Sequence, residues 1–494
     1  MTPSPSPSAS AHTPPAPPTD ADWAALASQV SGTVVRPSDP AYSSATLLFN
    51  PRFDGSTPAG IVYCASVSDV QRSVAFARTH ALPITARSGG HSYAGYSTGA
   101  GVVCDVTRMA AVVVQPGGSA VIGGGARLID VFAALSRRGL ALAAGSCPTV
   151  GIAGLALGGG LGVVGRKFGL TSDNVTALQI VTADGDALRC DAGTNSDLYW
   201  ACRGGGGGNF GVVTSLTTRT HSVPAVTLFT LHWPWPAAMD VIAAWQQWIT
   251  TIPDELWSIC HVLSTTSPGS PSITVDGAYV GNQPALTPWL TRLRQSVGTP
   301  VSGLSVGTHS FLDAMLIEAG CGGGSVASCH LPQQDPHGRL QREASLAHSD
   351  IALQPWSTNA IGVIVAGVAE RQANPSSTTV AGVAMEALGG AINRVASGAT
   401  AFVHRGGLFS TQYNATWPTG ASPSVVQSNI AGVNAIYGAM RPFASGYAYQ
   451  NYIDPSLADW KHAYYGDNLQ RLMAVKARYD PDGLFNFAQS IPPA

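Results

Sequence analysis

The chain has 494 residues, with 56 glycines and 34 prolines, while Asp, Glu, Lys and Arg supply only 11%. At 45% hydrophobic residues it is too apolar for a disordered chain, and no apolar run approaches the ~18 residues of a membrane span. A net charge of -2 without a basic block argues against a nucleic-acid partner and leaves a large, glycine-rich globular protein.

Residues 1–20, MTPSPSPSASAHTPPAPPTD, are rich in Pro, Ser and Ala and lack a hydrophobic stretch. They read as a disordered tail, set here at 1–22. Such a tail resembles the spacer behind an export signal, which favours a secreted protein; a native cytoplasmic N-terminus is the other reading.

A first region, 23–222, alternates short strands and helices from about residue 55. Ser68 is expected to cap a helix over 69–80, with Val70, Val74 and Ala77 on one face. Strands are expected at Ile84–Arg87 and Val102–Val106. Val112–Val114 and Ala120–Ile122 should form a hairpin over Pro116-Gly117-Gly118. Helical spacing covers Arg127–Arg138, stopped by Gly139. Ala177–Thr182 and Ala187–Cys190 flank Asp184-Gly185, another hairpin turn. A short helix at Asp197–Arg203 and a strand at Val212–Arg219 complete the region.

A second region, 223–445, opens on Trp233-Pro234-Trp235. Helices at Met239–Ile252 and Leu286–Val297 carry apolar stripes that include Trp245, Trp248 and Trp289. Strands at Ile273–Val280, Ala360–Val368 and Leu408–Tyr413 suggest a sheet backed by helices. The last stretch, 446–494, resumes the style of the first and holds a helix Asn468–Arg478 stopped by Asp480-Pro481.

Eight cysteines (64, 104, 147, 190, 202, 260, 321 and 329) are too few for a disulfide scaffold, and neither CxxC nor a zinc-like Cys/His spacing occurs. No metal site is expected. Cys321 and Cys329 flank GGGSVAS, and the sequence leaves a disulfide or two thiols equally open.

Much of the excess glycine sits in three segments: Ser88–Ser92, Gly145–Gly165 and Gly204–Gly211. Clustered glycines let backbone approach a ligand and let successive N–H groups point one way. Gly160-Leu-Gly162-Val-Val-Gly165 matches GxGxxG, but no strand is expected before it and no helix of the right kind after it, so the dinucleotide fingerprint is rejected.

ARSGGHSYAGYS, GSCPTVGIAGLALGGGLG, RGGGGGNFGVVTS, AYQNYID and ARYDPDGLFNFAQSI occur in this order. Together they resemble the berberine-bridge-enzyme-like family of FAD-linked oxidases, in the vanillyl-alcohol-oxidase superfamily, over about residues 40–492. The resemblance implies an α+β fold: a PCMH-type FAD-binding domain in two segments, 23–222 and 446–494, interrupted by a substrate-binding domain, 223–445, with an antiparallel sheet backed by helices.

It also implies bicovalent FAD, with His91 bonded to the flavin 8α-methyl carbon and Cys147 to C6. Arg87, Ser88, Gly89, Gly90 and Ser92 would cradle the pyrophosphate. Val150, Gly151, Gly154, Gly158 and Gly162 would line the flavin cleft. Gly208, Asn209, Gly211 and Val213 would meet the adenine or ribose side, and Asn451 and Asn486 would reach the flavin from the C-terminal stretch. In the family, valine at the Val150 position marks members that react with O2. Leu155 departs from relatives that carry histidine there, so another group must stabilise charge on the reduced flavin.

Alcohol oxidation needs a base within ~3 Å of the hydroxyl. Tyr449 and Tyr452 match the family's tyrosine motif, with Tyr449 favoured. Gln412 stands where berberine bridge enzyme has a glutamate base; glutamine cannot be one, which argues against ring closure and for alcohol or sugar oxidation. The expected activity is hydride abstraction from an alcohol, a sugar hemiacetal or a secondary-metabolite hydroxyl, with O2 as acceptor and H2O2 as product. A tailoring oxidase or desaturase, an O2-poor dehydrogenase and a flavin-binding protein without turnover are the rivals. The expected partners are a small-molecule substrate and O2, in a monomer or homodimer.

Overall fold

A computed structural model describes residues 16–266, 269–374 and 379–494. Most of the predicted tail lies outside these residues, but its boundary moves. Thr19 and Asp22 form a capping box for a helix Asp20–Gln29, so residues 20–22 are helical.

The first sheet has four strands in the order Thr33–Val35, Gly60–Tyr63, Val102–Asp105 and Ile84–Arg87. Its last three strands run parallel, joined through the helix Val67–Thr79. That helix is capped by Ser66, not by Ser68. Ser66 accepts the Asp69 N–H and donates to the Asp69 carboxylate, which also takes the N–H groups of Ser31, Gly32 and Ala65. The carboxylate gathers three chain segments, so the cap belongs to the serine that can reach it.

The second sheet has five strands, all antiparallel: Val112–Val114, Ser119–Gly123, Val212–Arg219, Val175–Val181 and Ala187–Asp191. The helix Leu128–Ser136 packs into its core through Leu128, Val131, Phe132 and Leu135. Gly139 follows at φ +68°, as a C′ glycine should.

The third sheet is antiparallel with seven strands, in the order Gly303–His309, Val226–Trp233, Ser272–Val280, Leu256–Ser264, Ala381–Ala387, Phe409–Trp417 and Ala344–Ala352. Strand side chains alternate between faces. One face gives Cys260, Val262, Val383, Met385, Tyr413 and Ala415 to a core shared with the helices Ala238–Trp248, Gln283–Val297, Thr358–Ala373 and Pro423–Met440. Trp245 and Trp248 are buried there, and Trp289 packs beside them. The other face is open and lines a cleft.

Ala360–Val368, expected as a strand, lies inside the helix Thr358–Ala373. Its β-branched residues suggested a strand. The buried positions Ala360, Ile361, Ile364, Val368 and Arg371 recur at helical spacing, and Ser357 accepts the Ala360 N–H as N-cap. One-sided burial against the sheet outweighs the weak β-preference of its residues.

The C-terminal helix Leu469–Tyr479 returns to the first region. Its buried Lys476 pairs with Asp480 at 2.6 Å and donates to the carbonyls of Asn209 and Phe485. One cation thus clamps the last segment onto the third glycine-rich loop. Cys321 and Cys329 form a disulfide.

Candidate active site

A cleft of about 680 Å³ lies between the glycine-rich loops and the open face of the seven-stranded sheet. Its loop wall is mostly backbone. Gly89 lies against Gly151: a Cβ on Gly89 would meet the Gly151 nitrogen at 2.2 Å, so only glycine allows the first two loops to touch. Ser88 donates to the Gly124 carbonyl. The Arg87 guanidinium is committed to Asp105 at 2.5 Å in the interior, and its carbonyl accepts the Val106 N–H. Gly154 faces Gly207 across the cleft wall; neither is crowded by side chains at contact distance.

His91 lines this wall with its ring stacked on Phe49, centroids 4.0 Å apart, and Nε2 2.8 Å from Thr149 Oγ. Burial, helped by Arg127, pushes its pKa down to about 3, so the imidazole is neutral. Cys147 is exposed to the cleft, whose walls and the nearby Glu343 nevertheless raise its thiol above the ordinary range. Ser92, Gly90, Val150, Gly162, Gly208, Gly211, Val213 and Asn451 also line the cleft. So does Leu155, which adds an apolar surface.

Three residues expected at the cofactor also make contacts within the protein. Gly158 is not at the cleft; a Cβ there would strike Asn451 Oδ1 at 1.9 Å, so it is the seat on which Asn451 rests. Asn486 is exposed and accepts from Ser490, while its neighbour Phe487 reaches the cleft. Asn209 lines the cleft while its amide donates to the carbonyls of Gly205 and Gly206 and accepts the Ile491 N–H.

Tyr449, Tyr452 and Gln412 meet at the other end of the cleft. The Tyr449 hydroxyl oxygen accepts three N–H groups, from Gly160 at 3.0 Å, Leu161 at 3.2 Å and Asn451 Nδ2 at 2.9 Å. Burial still pushes its pKa up to about 12. Two of these donors come from the segment that mimics GxGxxG. No strand precedes that segment, so its N–H groups serve a tyrosine and not a dinucleotide. Tyr452 stacks on Tyr93 at 5.2 Å, and Gln412 Nε2 donates to the Tyr93 hydroxyl at 2.9 Å. Tyr93 was not anticipated, although it stands two residues after His91.

The sheet wall adds residues that sequence reasoning missed: Trp257, His261, Glu386, Asn414 and, from flanking segments, Glu318 and Glu343. Glu386 accepts the Trp257 indole N–H at 3.0 Å. Burial pushes both Glu386 and Glu318 up to about 7, and for Glu318 the carboxylates of Asp276 and Glu386 add to it. His261 stands 3.5 Å from Asp276. A charged residue at a strand position beside apolar Met385 and Ala387 was the available signal for Glu386. Among the described residues no cluster could hold a metal ion, and no helix is long and apolar enough to cross a membrane.

A neutral imidazole and a thiol on a wall of converging glycine loops suit FAD: the nucleophiles and the close backbone approach are both present. Comparison with known proteins agrees. The FAD binding domain model matches residues 58–191, and the berberine and berberine like model matches residues 448–492. The uncharacterized FAD-linked oxidoreductase YgaK of Bacillus subtilis is 33% identical over 94% of this chain and 98% of its own. A chitooligosaccharide oxidase of Gibberella zeae is 32% identical over 88% of this chain and 87% of its own. The solved xylooligosaccharide oxidase of Myceliophthora thermophila C1, in complex with xylobiose, has a TM-score of 0.84 at 26% identity, covering 96% of this chain and 99% of that one. The chain belongs to the berberine-bridge-enzyme-like family of FAD-linked oxidoreductases, with that family's α+β fold.

Proposed function

We propose that this oxidoreductase is a saccharide oxidase that converts a sugar hemiacetal to a lactone, with FAD held covalently by His91 and Cys147 and O2 as acceptor. The observation that carries the saccharide reading is the sheet wall. It sets Trp257, Gln412, Asn414 and Thr416 opposite Tyr449 in an open cleft, an aromatic and hydrogen-bonding surface suited to a polyol. The two oligosaccharide oxidases among the similar proteins support it.

FAD, when bound, supplies the hydride acceptor and passes the electrons to O2, giving H2O2. The chain's own residues do the rest. His91 presents a neutral imidazole lone pair, and Cys147 must lose its proton before it can bond. Tyr449 would take the hydroxyl proton in its phenolate form; its three N–H donors oppose, without cancelling, the burial that pushes its pKa up to about 12. Gln412 fixes Tyr93, and Tyr93 stacks Tyr452, so the three order the substrate end. Residues 23–222 with 446–494 would be the FAD domain, and 223–445 the substrate domain. The Cys321–Cys329 disulfide fits an oxidising, extracytoplasmic compartment.

Acid precipitation tests the anchors: the pellet should stay yellow and its mass exceed that of the chain by one FAD. A colourless pellet of apoprotein mass overturns the covalent reading. A peroxide-coupled screen of oligosaccharides tests the activity, and flavin that no sugar reduces anaerobically overturns the saccharide reading.

A further inference from the structure

Ala344–Ala352 is the edge strand of the seven-stranded sheet and pairs with Phe409–Trp417 on one side. The chain from Ser445 to Asp454 lies along its other side, held in order. Ser445 Oγ donates to the Ile351 carbonyl, and the Ile351 N–H donates to the Tyr447 carbonyl at 3.0 Å. The Tyr449 N–H donates to Ser349 Oγ at 3.0 Å, and His348 Nδ1 donates to the Asp454 carboxylate at 2.6 Å. His348, Ser349 and Asp454 are buried. His348 is itself fixed: its ring stacks on Tyr437 with centroids 4.3 Å apart, and its Nε2 stands 2.8 Å from Asn434 Oδ1. Asp454 is fixed from the other side, by the Ser456 N–H at 2.8 Å and by Gln489 Nε2 on its carbonyl at 2.7 Å. Tyr449 is therefore braced twice. The loop wall holds its hydroxyl through Gly160 and Leu161, and the edge strand holds its backbone. A buried polar pair such as His348 and Asp454 gains little stability over an apolar pair of the same volume; what it supplies is a fixed distance and direction.

We propose that His348 is a positioning residue for Tyr449: by clamping Asp454 it fixes the segment 449–454 against the edge strand, with Ser349 as the second grip. The proton acceptor is then placed by the sheet that also lines the substrate cleft. This rests on the reading of Tyr449 as that acceptor. His348 acts at a distance, through the short segment that also carries Asn451 and Tyr452 to the cleft. Released at Asp454, the segment can shift along the strand, and the Tyr449 hydroxyl leaves the N–H groups of Gly160 and Leu161. A displacement of about 1 Å at a reacting group costs on the order of 10² in rate. Asparagine offers a conservative replacement. Its Nδ2 stands as many bonds from the backbone as histidine Nδ1, so it can still donate to Asp454.

The experiment measures kcat and KM for cellobiose on the flavin-loaded holoenzyme. His348→Leu should lower kcat about 10²-fold with KM within about threefold of wild type, and His348→Asn should recover kcat to within about tenfold. Retained bound-flavin absorbance shows that each variant is folded. Equal loss in both variants overturns the proposal, as does a raised KM with unchanged kcat. The double variant with Tyr449→Phe separates the two readings. No further loss beyond Tyr449→Phe alone upholds the positioning role, because His348 then acts through Tyr449. Losses that multiply overturn it and leave the Tyr449 reading standing; wild-type turnover by Tyr449→Phe overturns both. If His348→Leu yields no loaded protein, Ser349→Ala decides: about tenfold lower kcat is expected, and an unchanged kcat overturns the proposal. If cellobiose is not oxidised, amide hydrogen exchange over residues 444–456 of the holoenzyme decides. Exchange about tenfold faster in His348→Leu and restored in His348→Asn upholds the clamp, and unchanged exchange sinks it.

Discussion

The two walls of the cleft are built in opposite ways. The loop wall recognises with backbone: glycines 89, 90, 151, 154, 207 and 208 remove side chains so that N–H groups and two nucleophiles, His91 and Cys147, stand at the surface. The sheet wall recognises with side chains projected from neighbouring strands, each placed by the two-residue alternation of its strand. A backbone wall suits a large ligand of fixed shape, since amide groups are the same whatever residue carries them. A side-chain wall suits a variable ligand, because one strand substitution changes a contact and leaves the sheet intact.

Tyr449 joins the two walls, so it breaks the comparison most sharply. Tyr449→Phe should lower kcat by about 10²–10⁴-fold while covalent flavin loading, a property of the loop wall, stays intact. Stopped-flow reduction of the flavin reads both; turnover within a few-fold of wild type moves the proton acceptor elsewhere.

Lys476 tests the loop wall from behind. Lys476→Met leaves Asp480 uncompensated in the interior and frees the carbonyls of Asn209 and Phe485. The expected loss is about 3–5 kcal/mol of stability, with poor flavin loading. A denaturant titration that shows less than about 1 kcal/mol refutes the clamp.

Gly89→Ala acts at the front of the same wall. Its Cβ must push against the Gly151 nitrogen and the Thr149 carbonyl, for about 1–3 kcal/mol. Thermal melting of apo and loaded protein should show the loss in both, because the crowding is internal to the wall.

On the sheet wall, Gln412→Ala removes the donor to Tyr93. It should lower kcat/KM by about tenfold and leave the melting temperature nearly unchanged.

A pH dependence is also expected. Glu386 has its folded pKa raised from 4.5 to about 7. A carboxyl raised on folding binds protons more tightly in the native state, so stability is full below about pH 4.5 and declines until about pH 7. The ceiling is about 3 kcal/mol. Glu386→Gln should flatten this decline, raising Tm at pH 8 relative to pH 4 more than in the wild type. An unchanged pH profile places the charge of Glu386 in solvent.

How far the sequence could be read follows the same division. Strand Ile84–Arg87, set between Pro83 and the Ser88-Gly89-Gly90 turn, and strand Val212–Arg219, which opens after Gly211, were legible to the residue. The helix Thr358–Ala373 was misread in part as strand, since only its packing partner reveals which periodicity is buried. Gly158 and Asn486 stood in cofactor motifs; in the fold Gly158 seats Asn451 and Asn486 accepts from Ser490.

The sequence by itself determined the loop wall: glycine's missing side chain and the nucleophilicity of imidazole and thiol are local properties, written within a few residues. Tertiary structure alone decided the sheet wall and the state of Tyr449. The hydroxyl of Tyr449 takes its donors from Gly160 and Leu161, 289 and 288 positions away. Glu386, Glu318 and Trp257 meet only because strand pairing and a helix end bring them to one face. The charge and ionisation of such groups depend on who their neighbours are and how little water is left, and both are set by the fold.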